Sequence, residues 1–161
     1  AMSTSDTTET HCRREAKEPE AWVRRLQAGE PQHIVTYGTS LTASAAWVGG
    51  LRGALDASFP SLATVTNAAQ ESMSSIWALD NVDERVISLD PDVVFLEFAV
   101  NDALVSRDAA AGVSQAACGR NLCRIMDRVK EARPGCEFVL LTTNPCAGVF
   151  RDWRPQLPGY F

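Results

Sequence analysis

The chain has 161 residues, enough for one domain with a buried core and too few for two. Fifteen Lys and Arg against twenty Asp and Glu give a net charge of -5, and no basic block is long enough to follow a phosphate backbone, which argues against nucleic acid as a partner. No apolar run reaches the roughly 18 residues that cross a bilayer, and the amino-terminal stretch carries charges where a secretory leader needs apolar residues, so no membrane partner is expected and the cytoplasm is the expected location.

Residues 1–18 are Ser/Thr-rich and charged, with almost nothing large and apolar to offset the entropy of ordering them, and a flexible arm is expected there. Residues 19–161 then form the domain. Trp22, Val23 and Leu26 mark a short helix ended by Gly29 and Pro31, expected to pack on the outside of a sheet. Residues 33–37 read as a first strand, and residues 44–58 as a helix with Trp47, Val48, Leu51 and Leu55 on one face. A second strand over 62–66 leads to a helix marked by Ile76, Leu79, Val82, Val86 and Ile87, which stops before Asp90-Pro91. Residues 92–99 are the most hydrophobic run, as a central parallel strand covered on both faces should be. Cys118, Leu122, Ile125, Met126 and Val129 share one face of a helix over 113–132, and residues 137–142 make a fourth strand. Strictly alternating strands and helices predict an α/β fold, a three-layer α/β/α sandwich on a mostly parallel, right-handed sheet. Four strands is small for this architecture, which suggests that a final strand and helix are missing at the carboxyl end.

The five cysteines form no CxxC pair and no Cys/His cluster at zinc spacing, so free thiols are expected and neither a metal nor a cofactor is called for. The chemistry concentrates elsewhere. In Tyr37-Gly38-Thr39-Ser40-Leu41-Thr42 a serine sits where a strand stops and a helix begins, facing the crevice above a parallel sheet. Acyl transfer needs a nucleophile, a base to take its proton, and donors aimed at the tetrahedral oxyanion. Ser40 supplies the first, and its own N–H is an oxyanion donor. Asn101 follows the central strand and offers a side-chain NH2 to the same crevice, and the loop over 67–75 can add a backbone N–H near Ser72.

These segments resemble three ordered blocks of the SGNH, or GDSL, hydrolase superfamily. Gly38-Thr39-Ser40-Leu41 resembles the GDSL block, with Thr39 in place of the usual Asp. Asn67 to Ser72 resembles the second block, with Ser72 in place of a glycine, and Ala99-Val100-Asn101-Asp102 resembles the GxND block. The resemblance runs from about residue 32 to the end, and implies a flavodoxin-like fold and a metal-free serine esterase acting on a small-molecule or carbohydrate ester. It implies Ser40, Ser72 and Asn101 as catalytic residues; Thr39, Asn67 and Asn144, at the crevice ends of the strands, are expected substrate contacts. The last block of the superfamily, Asp-x-x-His, has no counterpart. His11 lies in the expected arm and His33 starts the first strand at the wrong end of the sheet, so the chain reads as truncated and inactive as it stands.

Each signal also has a plainer reading. Gly38 to Thr42 is compatible with simple helix capping, Asn101-Asp102 with a turn, Asn67 with a loop-bonding role, and Thr142 to Asn144 with a polar turn before Pro145. Trp47 and Trp77 fit ordinary packing better than sugar stacking. Glu71 and Glu97 are not a credible glycosidase couple, because Glu97 lies inside the central strand, where it needs a partner. A flavodoxin-like binding module, or an inactive homologue that binds carbohydrate, is the alternative function. The G-x-G-x-x-G and G-x-x-x-x-G-K-[ST] nucleotide motifs and the G-x-S-x-G elbow are absent.

Overall fold

The computed structural model describes residues 20–105, 112–142 and 157–160, and in it the alternation of the sequence becomes a parallel sheet with helices on both faces. Strands β1 (Gln32–Gly38), β2 (Ala63–Asn67), β3 (Val93–Glu97) and β4 (Glu137–Leu140) lie in the order β2-β1-β3-β4, all parallel. Along the chain they alternate with helices α1 (Ala21–Gln27), α2 (Ser40–Ala43), α3 (Ala46–Ser58), α4 (Ser75–Arg85), α5 (Ala99–Asp102) and α6 (Gln115–Ala132). The three-layer α/β expectation holds for the described residues.

The period-2 geometry of the strands sorts the core into two layers. Ile34, Val93 and Phe95 point to one face and pack with Trp22 and Leu26 of α1 and Val48 and Leu55 of α3. Val35, Val94 and Leu96 point to the other, against Leu79 and Val82 of α4 and Ile125 and Val129 of α6. β3 is buried along its whole length, which is why its sequence is a continuous apolar run ending in Glu97. Trp22 meets Phe95 edge-on at 6.2 Å, placing α1 outside the sheet as its spacing predicts. Trp47 and Trp77 pack against Phe95 and Tyr37, with ring centroids 6.1 and 6.0 Å apart. The Tyr37 hydroxyl donates to the Ala78 carbonyl at 2.8 Å, and burial raises its pKa.

Several boundaries differ from expectation. The helix expected from residue 44 is two helices: α2 begins at Ser40 itself, and α3 follows after a break at Ser44 and Ala45. Ile76 was expected on the buried face of α4, but it is 52% exposed; the buried positions there are Ser75, Ala78, Leu79 and Val82. Val86 is buried beyond the end of α4, and Ile87–Leu89 form a 3-10 turn closed by Asp90 in the left-handed region. The central strand stops at Glu97, so Asn101 sits in a short helix. A second 3-10 turn, Leu157–Tyr160, brings Tyr160 against Ala99 and Ala103. The expected arm lies outside the described residues.

The order β2-β1-β3-β4 has its topological switch between β1 and β3, because the chain winds one way from β1 to β2 and the other way from β3 to β4. In open parallel sheets the crevice for ligands opens at that point, above the carboxyl ends of the strands. Gly38 of β1 pairs with Glu97 of β3 there, directly before the Ser40 and Asn101 segments.

Candidate active site

Ser40 is exposed and is the first residue of α2. The residue before it caps the helix: Thr39 is extended and its Oγ1 accepts the Leu41 N–H at 3.3 Å, as a threonine N-cap does. The Thr39 carbonyl receives the N–H groups of Thr42 and Ala43 at 2.9 and 2.8 Å. Among the described residues no acceptor takes the Ser40 N–H and no partner bonds the Ser40 hydroxyl.

The other two blocks are hydrogen-bonded to this loop or to each other. Asn67, in register with Thr36, donates through Nδ2 to the carbonyls of Thr42 and Ala43 at 3.0 and 3.3 Å. Its Oδ1 accepts from Thr36 Oγ1 at 3.2 Å and from the Ala69 N–H at 3.1 Å. All four hydrogen-bonding positions of the amide are therefore used within the protein. The Gln70 N–H reaches the Gly38 carbonyl at 3.0 Å, and the Ser44 hydroxyl bonds Glu71. Asn101 Nδ2 donates to the Met73 carbonyl at 2.9 Å, which fixes the amide and leaves its second N–H without a partner among the described residues. Ser72 is exposed, has φ 62, and its N–H likewise has no acceptor there.

Three of the named positions thus present unused N–H donors on loops that bond one another: Ser40, Ser72 and Asn101. Two expected substrate contacts are otherwise engaged. Thr39 is buried with its hydroxyl turned inward, and the Asn67 amide is saturated by loop contacts. Asn144 lies outside the described residues. His33 is half-buried at the start of β1, its Nε2 2.8 Å from Thr66 Oγ1. Five residues of strand, about 16 Å, separate it from Gly38.

Beneath the loop lies a group whose role the sequence did not reveal. The Glu97 carboxyl, 4% exposed, accepts through Oε2 from Thr39 Oγ1 at 2.8 Å, from the Thr39 N–H at 3.2 Å and from Thr42 Oγ1 at 3.4 Å. Burial raises its pKa, the threonine hydrogen bonds pull the other way, and the Asp102 charge adds a small upward push. The clue in the sequence was the pair of hydroxyls at 39 and 42 opposite the last residue of an apolar strand. Asp102 is also fully buried; its Oδ1 accepts the Ser75 N–H at 2.8 Å and so caps α4, whose own N-cap Ser74 makes no side-chain bond. That agrees with a structural part for Asp102. Two grooves of about 390 and 370 Å³ flank Asp92 and Arg133, at the opposite end of the sheet from Ser40.

No family model and no curated protein matches the sequence. Solved structures do. A gut microbial diltiazem-metabolizing enzyme superposes with a TM-score of 0.68 at 18% identity, over 81% of this chain and 33% of that one. The lipase/acylhydrolase from Enterococcus faecalis gives 0.59 at 24% identity, over 78% and 64%. Axe2, an acetylxylan esterase from Geobacillus stearothermophilus, gives 0.64 at 21%, over 81% and 68%. The chain has the SGNH-hydrolase fold. It spans a third of the first of these proteins and about two thirds of the other two. The β1/β3 switch point holds the loop over residues 38–42 from one strand and the Ala99–Asp102 segment from the next, with Asn101 tied to the Met73 carbonyl.

Proposed function

We propose that this chain is a serine ester hydrolase of the SGNH type, cleaving acyl or O-acetyl esters through an acyl-enzyme on Ser40. The observation that carries the reading is the set of unused donors, the N–H groups of Ser40 and Ser72 and the second N–H of Asn101, on loops bonded together at the switch point beside an exposed, unbonded serine hydroxyl.

In this reading Ser40 Oγ attacks the ester carbonyl while its proton leaves to a histidine. The carbonyl oxygen, now an anion, is held by the three donors, and each such donor is worth on the order of 3 kcal/mol to the transition state. Collapse of the tetrahedral adduct breaks the C–O bond to the alcohol, which takes the proton, and water then hydrolyses the acyl-serine by the same route in reverse. No metal enters these steps. Among the described residues no histidine lies at Ser40, and without one general-base help of roughly 10²- to 10⁴-fold is forfeited. The acylhydrolase and acetylxylan esterase among the structural neighbours support a small-molecule or carbohydrate ester as substrate.

The test is p-nitrophenyl acetate turnover by the 161-residue chain and by a form extended along its own reading frame, each with Ser40→Ala beside it. Turnover in the extended form that Ser40→Ala abolishes supports the reading. Turnover in the extended form that Ser40→Ala leaves unchanged overturns it.

A further inference from the structure

A carboxyl buried at the end of a central strand costs several kcal/mol unless something is gained from it. What Glu97 touches is narrow: its three donors are Thr39 N–H, Thr39 Oγ1 and Thr42 Oγ1, all on the single oxygen Oε2. Its other oxygen, Oε1, has no partner among the described residues, so the carboxyl is tied to the loop above it. Thr39 and Thr42 stand on either side of Ser40, one capping α2 and the other buried within it. Space for the arrangement comes from Gly38, where a Cβ would lie 3.0 Å from Glu97 Oε2 and 2.7 Å from the Glu97 carbonyl oxygen. Where the resembling block usually carries an acid, at Thr39, this chain has a hydroxyl, and the carboxyl arrives from β3.

Resting on the esterase reading, we propose that Glu97 is the positioning residue of the nucleophile loop: its Oε2 gathers both threonines that flank Ser40 and thereby fixes where the serine hydroxyl and N–H stand relative to Asn101. Glu97 acts through the loop and touches no substrate. The requirement is for an acceptor oxygen at Oε2, which a glutamine amide oxygen also supplies.

The experiment compares Glu97→Met, which keeps bulk and removes the acceptor, with Glu97→Gln, in the 161-residue chain and in its extended form. Two readouts are taken beside the melting midpoint: hydrogen exchange of the Thr39 amide, and kcat and KM on p-nitrophenyl acetate. Glu97→Met is expected to speed Thr39 exchange by about tenfold or more and, since a misplacement of about 1 Å costs up to roughly 10²-fold in rate, to lower kcat by that order with KM within about twofold. Glu97→Gln is expected to bring both readouts back to within about threefold of wild type. Unchanged Thr39 exchange in Glu97→Met, or a glutamine that restores neither readout, overturns the proposal. Should Glu97→Met not fold, Thr39→Val and Thr42→Val remove the donors from the loop side, with Thr39→Ser and Thr42→Ser as the restoring pair and the same outcomes deciding. Exchange is read without turnover, so a failure of the esterase reading, seen as Ser40-independent hydrolysis, stays separate from a failure of this one.

Discussion

Replacing Gly38 with alanine adds one methyl group at the junction of the two strands that frame the site. The backbone of Gly38 is not left-handed, so the cost is steric. The new Cβ would stand 2.6 Å from Thr42 Oγ1, 2.7 Å from the Glu97 carbonyl oxygen and 3.0 Å from Glu97 Oε2. The threonine can rotate away, giving up its bond to Glu97. The carbonyl cannot, because it belongs to the strand paired with Gly38 itself. Reaching an ordinary contact near 3.5 Å therefore demands a separation of β1 and β3 by somewhat less than about 1 Å. Overpacking of this kind costs about 1–3 kcal/mol, and the lost hydrogen bond adds about 1, for a total of about 2–4 kcal/mol. For a chain of this length that is a fall in melting midpoint of roughly 5–15 °C. Urea and thermal unfolding followed by circular dichroism measure it, with Gly53→Ala as the control. Gly53 lies inside α3 with nothing within 4 Å of its added Cβ, so alanine there is expected to stabilise by about 0.5–1 kcal/mol. A Gly38→Ala loss below about 0.5 kcal/mol would refute the claim that the strand junction is sterically closed.

At Ser72 the left-handed φ of 62 predicts the stability order glycine, then serine, then valine, with Ser72→Gly gaining about 0.5 kcal/mol and Ser72→Val losing about 1 or more in urea unfolding. The reverse order would remove the strain argument. Because burial raises the Glu97 pKa above its ordinary 4.5, the folded state holds its proton more tightly than the unfolded state. The stability this contributes is complete below 4.5 and is lost as pH rises through the folded value, so the stability of Glu97→Gln relative to wild type should climb across that window; a flat difference from pH 4 to 8 contradicts it. Cys123 is exposed, whereas Cys118 and Cys136 are buried, the first with its pKa raised and the second pushed up to about 11. Iodoacetamide at pH 8 followed by peptide mass mapping should find Cys123 alkylated in the native chain and the other two only in urea.

How much of this was legible in advance follows from the range of the interactions involved. The strands and their order of appearance were readable because a parallel strand buried on both faces, such as β3, must be apolar throughout, and because α6 repeats its apolar positions at helical spacing. Ser40 and Asn101 stand out in the sequence because each comes within a few residues of an apolar run. Ile76 differs from expectation because one residue of rotation around α4 decides between core and solvent, and the first turn of α4 is bonded to Asp102, which is remote in sequence. Thr39 and Asn67 sit at strand ends, and the partners they hold are remote in sequence, Glu97 for the first and the Thr42 and Ala43 carbonyls for the second. No local pattern encodes those partners.

Two departures from the resembling blocks fall at positions where geometry matters more than side-chain identity. Ser72 stands in place of a glycine, yet an N–H is a main-chain donor; what the position requires is a left-handed backbone, which serine reaches at a cost of about 1–2 kcal/mol. Thr39 stands in place of an acid, yet its hydroxyl both caps α2 and engages a carboxyl reached from β3. In the esterase reading the oxyanion donors form an electrostatic half and the base a proton-transfer half. The two halves are separable energetically as well: oxyanion donors and binding alone sustain about 10³- to 10⁴-fold acceleration in serine hydrolases stripped of a triad member. In a form of this protein extended to supply a histidine, replacing that histidine with alanine should accordingly leave hydrolysis of p-nitrophenyl acetate above the uncatalysed rate. Removing the Asn101 donor as well, by Asn101→Ala, should take away a further factor on the order of 10². If Asn101→Ala has no effect in that background, the crevice at the switch point holds no oxyanion, and Ser40 is only the cap-flanking residue of a four-residue helix.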